Sequence, residues 1–378
     1  MKTTIWNKEQ PCYVVEENLL RRNLALIRSV AEATGVEIIV AFKAFALWKT
    51  FSLFREYNFA STASSLWEAQ LGYEELQQRA HAFSPAYQSK ELPQWMEFCS
   101  HITYNSLSQY GVLGTPSREK VSYGLRINPK YSPVETDLYN PAKPGSRFGV
   151  SAQELGLHLP KGIEGLHCHV LCEGNSFQLE KLLSIIEHDF ASPLREAKWL
   201  NLGGGHLMTH KEYNVDHLIA VLKAFRQRHP HLHVILEPGS AFAWQTGFLR
   251  SHIVDIVEHD GIKTAILDVS FTCHMPDCLE MPYQPTVRGA SSTPIEGKPT
   301  YRLGGNSCLS GDYMGDWSFE EPLKVGDEII FEDMIHYTTV KTNMFNGIAH
   351  PALVMRRSNG TEELLRSFDY EDYKQRMD

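Results

Sequence analysis

The sequence predicts an α/β protein: a TIM-type (β/α)8 barrel followed by a C-terminal, mostly β domain. Three observations carry that expectation. Eight short segments rich in apolar, β-branched or small residues recur near 37–43, 57–63, 79–85, 101–106, 121–127, 163–170, 197–205 and 233–239. Helix-like stretches lie between them, the pattern of βα units around a parallel sheet. Polar or conformationally permissive residues stand at six segment ends: Lys43, Asn105, Arg126, His169, the run Gly203, Gly204, Gly205, and Glu237. In such barrels catalytic groups gather at the C-terminal ends of the strands. After about residue 245 the texture changes, with strand-like stretches at 248–257, 264–271 and 328–340 separated by Gly and Pro turns.

In chain order, residues 48–55 read as a short helix after the first segment. After the second, Ser64-Ser65-Leu66-Trp67-Glu68-Ala69-Gln70-Leu71-Gly72 reads as an N-capped helix. Residues 283–300, rich in Pro, Gly, Ser and Thr, read as a surface loop, and the charged end 361–378 as a closing helix or a frayed tail. The expected division is a barrel over 12–244 and a β domain over 245–378, with residues 1–11 packed on the latter.

Composition narrows the function classes. At 378 residues the chain exceeds one ordinary compact core. With 43% hydrophobic and 21% charged residues it reads as an ordinary soluble protein, with no bilayer-spanning apolar run and no secretory signal at Met1-Lys2-Thr3-Thr4, so a cytoplasmic address is expected. A net charge of -9 and the lack of a basic stripe argue against a nucleic-acid partner. Seven cysteines, an odd number and scattered, point to thiols rather than a disulfide framework.

The chemistry-bearing residues begin with Lys43, near the end of the apolar run Val36-Glu37-Ile38-Ile39-Val40-Ala41-Phe42-Lys43. Burial lowers the pKa of an ammonium and leaves a nucleophilic amine, able to form a Schiff base with an aldehyde. The plainer alternative is a lysine snorkelling from a strand end. Gly203-Gly204-Gly205 ends the seventh segment, where barrels often hold phosphate, and lets backbone N–H groups approach an oxyanion. A flexible turn is the alternative. Glu237, emerging from Val234-Ile235-Leu236, is either hydrogen-bonded into the barrel or holds a protonated ring nitrogen.

His167 and His169 share one strand face because side chains alternate. They could bind zinc, but Cys172 and Glu173 complete no compact ligand set, so a ring stacked on a flat cofactor explains the pair at least as well. The cluster Cys273-His274-Met275-Pro276-Asp277-Cys278 supplies no second ligand pair at finger spacing, and no metal is expected. The glycine-rich loop from Gly304 to Asp316, with Cys308, Asp312 and Asp316, can approach another active site or be an ordinary solvated turn.

Taken in order, Ala41-Phe42-Lys43-Ala44, Leu125-Arg126-Ile127, His167-Cys168-His169-Val170, Gly203-Gly204-Gly205, Glu237-Pro238-Gly239 and Ser307-Cys308 resemble the fold-type III, alanine-racemase-like pyridoxal-phosphate decarboxylases. Residues 270–283 and the loop from Cys308 to Asp316 resemble the branch that acts on the carboxylated polyamines carboxynorspermidine and carboxyspermidine. The resemblance implies pyridoxal 5'-phosphate held covalently on Lys43, with Glu237 at the ring nitrogen and His169 on the ring face. It places Arg126 near the ring oxygen, Glu68 on the lysine side, and Gly203, Gly204, Gly205 and Tyr337 at the phosphate.

Cys308 is implied as the acid that returns a proton after decarboxylation, reaching across a homodimer interface. Glu237, His274, Asp277, Asp312 and Asp316 are candidates for contacts to the substrate. Three positions depart from the family pattern: Ser240 follows Glu237-Pro238-Gly239 where relatives carry Arg, Thr62-Ala63-Ser64-Ser65 lacks an expected acid, and Leu171-Cys172 replaces Gly-Ser. The alternatives are a diaminopimelate or ornithine decarboxylase, a pyridoxal-phosphate carrier without turnover, and a zinc hydrolase built on His167 and His169.

Overall fold

A computed structural model describes residues 9–378 of the chain. Contacts divide it into two units, with breaks between Arg22 and Asn23 and between Phe242 and Ala243. In the unit Asn23–Phe242, parallel strands form a closed ring. Closure is visible at the first strand, which is interrupted at Ile39: Glu37–Ile38 pairs with His233–Leu236, and Val40–Ala41 pairs with Ser61–Ala63. The rest of the ring is Ala80–Phe83, Cys99–Tyr104, Ser122–Arg126, Ile163–His167 and Trp199–Asn201. Each of the eight predicted segments therefore contains a barrel strand.

Intervening helices follow local signals. Ser65 accepts the Glu68 N–H and starts Leu66–Leu71, and capping boxes at Asn175 and Ser151 start Ser176–Asp189 and Ala152–Leu155. The stretch predicted as a helix over 48–55 is a 3-10 turn, Trp48–Thr50, continued by Phe51–Glu56.

The barrel floor is built on an exchange of size between strands. Gly124 and Gly165 lack side chains on the face where the Trp199 indole lies, and a Cβ at Gly165 would come within 2.0 Å of its ring. Trp199 is buried, and its Nε1 donates to Ser122 Oγ at 2.9 Å, so the ring is held. A second feature of this unit is a set of enclosed imidazoles. His81, His167 and His206 are buried, and the rings of His81 and His101 lie 4.0 Å apart. Burial lowers the pKa of all four, to about 3 for His101 and about 4 for His206.

The other unit holds a mixed nine-stranded sheet. Its spine is Gly247–His259, a 13-residue strand with a register shift near Ile253. The first part of the spine pairs with Cys12–Glu16 on one side and Glu328–Glu332 on the other, and the distal part with Ile262–Leu267. The expected barrel boundary at residue 12 is thus displaced: Cys12–Glu16 hydrogen-bonds in this sheet, between Gly247–His259 and Ala352–Arg356. Residues 1–8 lie outside the described residues, so the expected packing of 1–11 is described only from Glu9 onward.

Two predicted strands are shorter than expected. Ile262–Leu267 gives way to the helix Phe271–His274, capped by Ser270, and Glu328–Glu332 ends well before the short helix Thr338–Lys341. The end of the chain, expected as helix or tail, is a strand, Glu362–Arg366, followed by Tyr370–Met377 with an Asp369 capping box. Arg250 and Arg356 both bind Glu362, which ties that last strand to the spine and to Ala352–Arg356. No described helix is long and apolar enough to cross a membrane.

Two outcomes test these packing arguments. Gly165→Ala drives a methyl into a ring that cannot retreat, and urea unfolding is expected to register a loss of about 1–3 kcal/mol. Unchanged stability would remove the floor argument. For the imidazoles, the folded pKa lies below the unfolded value of about 6.5. Their full stability is present above that value and is lost as pH falls toward the folded pKa, because only the unfolded chain takes up protons in between. The urea midpoint should therefore drop steadily from pH 7 to 5, and His101→Gln should flatten the slope by about one proton's worth.

Candidate active site

Side-chain alternation carries the barrel floor into the site. Two residues beyond Gly124, Gly165 and Trp199, on the same strand faces, stand Arg126, His167 and Asn201. These three form a row across adjacent strands, since Arg126 is in register with His167 and His167 with Asn201. The next strand continues past Leu236 into Glu237, whose N–H donates to Gly203 O at 2.8 Å.

Glu237 is buried, and one carboxylate oxygen accepts the Asn201 Nδ2–H at 2.6 Å. The other lies 3.4 Å from His167 Nε2. Burial opposes the charge, but His167 and the Asn201 hydrogen bond outweigh it and hold Glu237 below the usual carboxylate range. The His167 imidazole is itself held below its ordinary range by burial, with Glu237 opposing. His167 Nδ1 has no hydrogen-bond partner, and Nε2 faces the Glu237 oxygen 3.4 Å away. Asn201 acts twice, because its Oδ1 also accepts the Gly203 N–H at 2.8 Å.

His169, two residues beyond His167, accepts the Gly204 N–H on Nδ1 at 3.3 Å. Burial, then the charges of Lys43 and Arg126, keep its pKa far below that of a free imidazole, so the ring is neutral. The glycine run is required by this close packing. A Cβ at Gly203 would meet His169 at 2.6 Å, one at Gly204 would meet the Glu237 carbonyl at 2.7 Å, and one at Gly205 would meet Leu171 at 2.3 Å. Arg126 donates to His169 O at 2.9 Å and lies between the rings of Phe83 and Phe148, 4.5 and 4.3 Å from their centroids. Burial brings its pKa down to about 10.

Lys43 follows Val40–Ala41 in a turn. The side chain keeps exposed surface amid dense surroundings. Burial pulls the ammonium below the usual lysine range, with Glu237 opposing and Arg126 reinforcing. Among the described residues the amine makes no hydrogen bond or ion pair. Glu68 turns back to accept the Ser64 N–H at 2.6 Å, and burial raises its pKa. Asn105 does not join the set: it accepts the Gly149 N–H and donates to Arg147 O.

The structure thus brings Lys43, Arg126, His169, Gly203, Gly204, Gly205 and Glu237 to one end of the barrel. Reading the sequence missed Asn201 as the donor to Glu237 and gave His167 no contact with that carboxylate. Their signal was available in the two-residue offset from Gly165 and Trp199. His167, His169 and Glu237 also offer ligand atoms within 4.8 Å of one another, a spacing that a divalent cation can span.

The remaining candidates lie in the sheet unit and already have partners there. Asp277 and Glu280 both bind Lys341 Nζ, at 2.5 and 2.6 Å. Asp316 accepts from Arg302 Nε at 3.0 Å. His274 is fully buried, accepts the Ser270 N–H and has its pKa lowered to about 3 by burial. Asp312, also buried, accepts the N–H groups of Thr272 and Ser307. Tyr337 adopts φ +54° at the start of Thr338–Lys341. Cys172 and Cys308 are the exposed thiols.

Comparison with known proteins agrees with this geometry. Residues 12–335 match the family model described as pyridoxal-dependent decarboxylase, C-terminal sheet domain. The chain is 52% identical over 368 residues to a carboxyaminopropylagmatine decarboxylase of Synechocystis sp., covering 97% of this chain and 95% of that protein. It is 39% identical over 378 residues to a carboxynorspermidine/carboxyspermidine decarboxylase of Campylobacter jejuni, covering 97% and 98%.

Among solved structures, carboxynorspermidine decarboxylase from Campylobacter jejuni, complexed with norspermidine, matches with a TM-score of 0.90 at 38% identity over 97% of this chain and 100% of that one. Diaminopimelate decarboxylase from Helicobacter pylori shares the fold, with a TM-score of 0.82 at 16% identity over 98% and 97%. A closed parallel barrel with an unpaired lysine and a buried carboxylate at its mouth, a second unit built on a mixed sheet and near-full-length likeness to named decarboxylases agree on one conclusion: the chain belongs to the pyridoxal-dependent decarboxylase family and is a decarboxylase.

Proposed function

We propose that the protein uses pyridoxal 5'-phosphate to decarboxylate carboxylated polyamines, converting carboxynorspermidine to norspermidine and carboxyspermidine to spermidine, as a cytoplasmic homodimer. The observation that carries this reading is the unpaired Lys43 amine at a barrel mouth that also presents an ionised, buried Glu237. Those residues fit the cofactor. The amine is free to attack an aldehyde, Glu237 has an oxygen 3.4 Å from His167, and the neutral His169 ring has its Nδ1 already engaged.

When bound, the cofactor supplies an electron-withdrawing ring that accepts the electron pair left as the carboxylate departs. The residues do the rest. Glu237, whose charge the Asn201 hydrogen bond favours, would hold a proton on the ring nitrogen. His169 would cover the ring face and Arg126 would lie toward the ring oxygen. Glu68 would support the lysine side, while Gly203, Gly204, Gly205 and Tyr337 would take the phosphate. Cys308, from a second copy of the chain, returns a proton to the substrate carbon. Asp277 and Asp316 each face a cation of the chain itself, so an ammonium binding there exchanges with Lys341 or Arg302. His274 and Asp312 are engaged by backbone N–H groups and act on substrate through the shape of their loops.

A second reading within the same chemistry rests on the 52% identity to the Synechocystis protein: a carboxyaminopropyl derivative of agmatine, ending in guanidinium rather than ammonium. Product analysis of pyridoxal-phosphate-loaded protein, offered carboxynorspermidine, carboxyspermidine, carboxyaminopropylagmatine, diaminopimelate and ornithine in parallel, separates these. Carbon dioxide with a polyamine product is expected. Lysine or putrescine alone would overturn the substrate, and stoichiometric metal without a cofactor band would overturn the cofactor.

Lys43→Ala should lose both the visible cofactor band and turnover, and survival of the band would displace Lys43 as the anchor. Asn201→Leu removes the donor to Glu237 and the acceptor for Gly203 N–H, each buried. It should cost about 1–3 kcal/mol of stability and lower kcat/KM about tenfold or more. Turnover within twofold of the parent would exclude the proposed support.

A further inference from the structure

The loop that carries Cys308 holds its backbone by an unusual means. Five consecutive N–H groups are satisfied without a regular strand or helix. Gly305 donates to Asp312 O at 2.7 Å and Asn306 to Val269 O at 3.0 Å. Ser307 donates to Asp312 Oδ2 at 3.1 Å, Cys308 to Asn346 Oδ1 at 2.8 Å and Leu309 to Ser307 Oγ at 3.3 Å. A loop whose amides are satisfied has its path prescribed, and here three of the five acceptors are side chains. Asp312 and Ser307 belong to the loop itself. Asn346 comes from a segment 38 residues away in sequence and takes the amide of the cysteine itself.

Asn346 is in turn held. It adopts φ +57°, a left-handed conformation that asparagine tolerates better than most residues. Its turn, Phe345–Gly347, is tied down on both sides of Met344. Asn343 donates from its side chain to Thr272 O and from its backbone to Cys273 O, and its Oδ1 accepts the Phe345 N–H. Thr272 N–H returns to the loop by donating to Asp312 Oδ1 at 2.9 Å. Three segments, around 269–275, 304–312 and 343–347, therefore form one hydrogen-bonded frame with the exposed thiol of Cys308 presented from it.

We infer that Asn346 is a positioning residue for Cys308: its side-chain carbonyl fixes the cysteine backbone and thereby the direction in which the thiol is presented. Proton delivery depends on geometry before it depends on acidity. This role rests on the reading of Cys308 as the proton donor, but the tether itself can be measured without catalysis. Asn346→Gly isolates the side chain, because glycine keeps the positive φ and loses only the acceptor. Asn346→Asp keeps both the acceptor and a tolerated backbone.

The experiment is hydrogen–deuterium exchange by mass spectrometry on the peptide covering 305–311, with the full chain as purified. Exchange at Cys308 is expected to quicken by about threefold to tenfold in Asn346→Gly, the worth of one net hydrogen bond, and to return toward the parent rate in Asn346→Asp. Unchanged exchange in the glycine variant overturns the tether. In turnover of the loaded enzyme, Asn346→Gly should lower kcat with KM little changed, because substrate contacts are untouched. A lower exchange barrier with parental kcat would overturn the positioning role. Cys308→Ala serves as the separate control: if that variant turns over normally, the proton-donor reading fails while the exchange result still decides the tether.

Discussion

The backbone ladder that joins the first barrel strand to the last is the constraint on which the site depends. Glu37–Ile38 pairs with Ile235 and Leu236, and the ladder continues as Ile39 N–H donates to Leu236 O and Ala41 N–H to Pro238 O. Lys43 and Glu237 are almost two hundred positions apart in sequence, yet each lies two residues past a residue of this ladder. Closure of the ring thus brings the nucleophile and the carboxylate to neighbouring strand ends. Parallel pairing also makes the C-terminal ends of all strands meet at one mouth, which is why Arg126, His169 and the glycine run arrive there too.

What the mouth then requires is a way to keep a carboxylate charged in a buried place. Desolvation of Glu237 favours its protonated form, and Asn201 and His167 reverse that preference. The cost is spread over the barrel: imidazoles enclosed near the carboxylate are held below their ordinary range, and Lys43 is left without an anionic partner in hydrogen-bond range. The same electrostatics that suit the chemistry make the fold sensitive to acid. Beneath this layer, the Trp199 ring lies over two glycines and fills the barrel floor, so the polar row above it rests on a rigid apolar base.

Much of this was legible in the sequence. The eight segments could be read because apolar, β-branched runs bounded by turns form strands through short-range preferences. Lys43, Glu237 and Gly203–205 stood out because each interrupts or ends such a run. Other features were not legible. Nothing local distinguishes Asn201 from any strand-end asparagine, since its role depends on its register with His167 and on Glu237 one strand away. The acids Asp277 and Asp316 looked free for a cationic substrate until Lys341 and Arg302 were found beside them. The placement of Cys12–Glu16 in the mixed sheet, rather than at the start of the barrel, is also a pairing decision that residue preferences do not make.

By itself, the sequence determined the kind of chain this is: alternating strand and helix signals specify a barrel, a lysine and a glutamate at strand ends supply its chemistry, and a glycine-rich cysteine loop follows. These follow from local preferences, which act over a few residues and need no partner. Only the tertiary structure decided the ionisation of Glu237, the lowered pKa of the imidazoles, the need for each glycine against its neighbour, and the tether from Asn346 to Cys308. The reason is physical: desolvation, hydrogen-bond partners and steric contact are properties of groups brought together by folding, and their distances are not written in sequence separation.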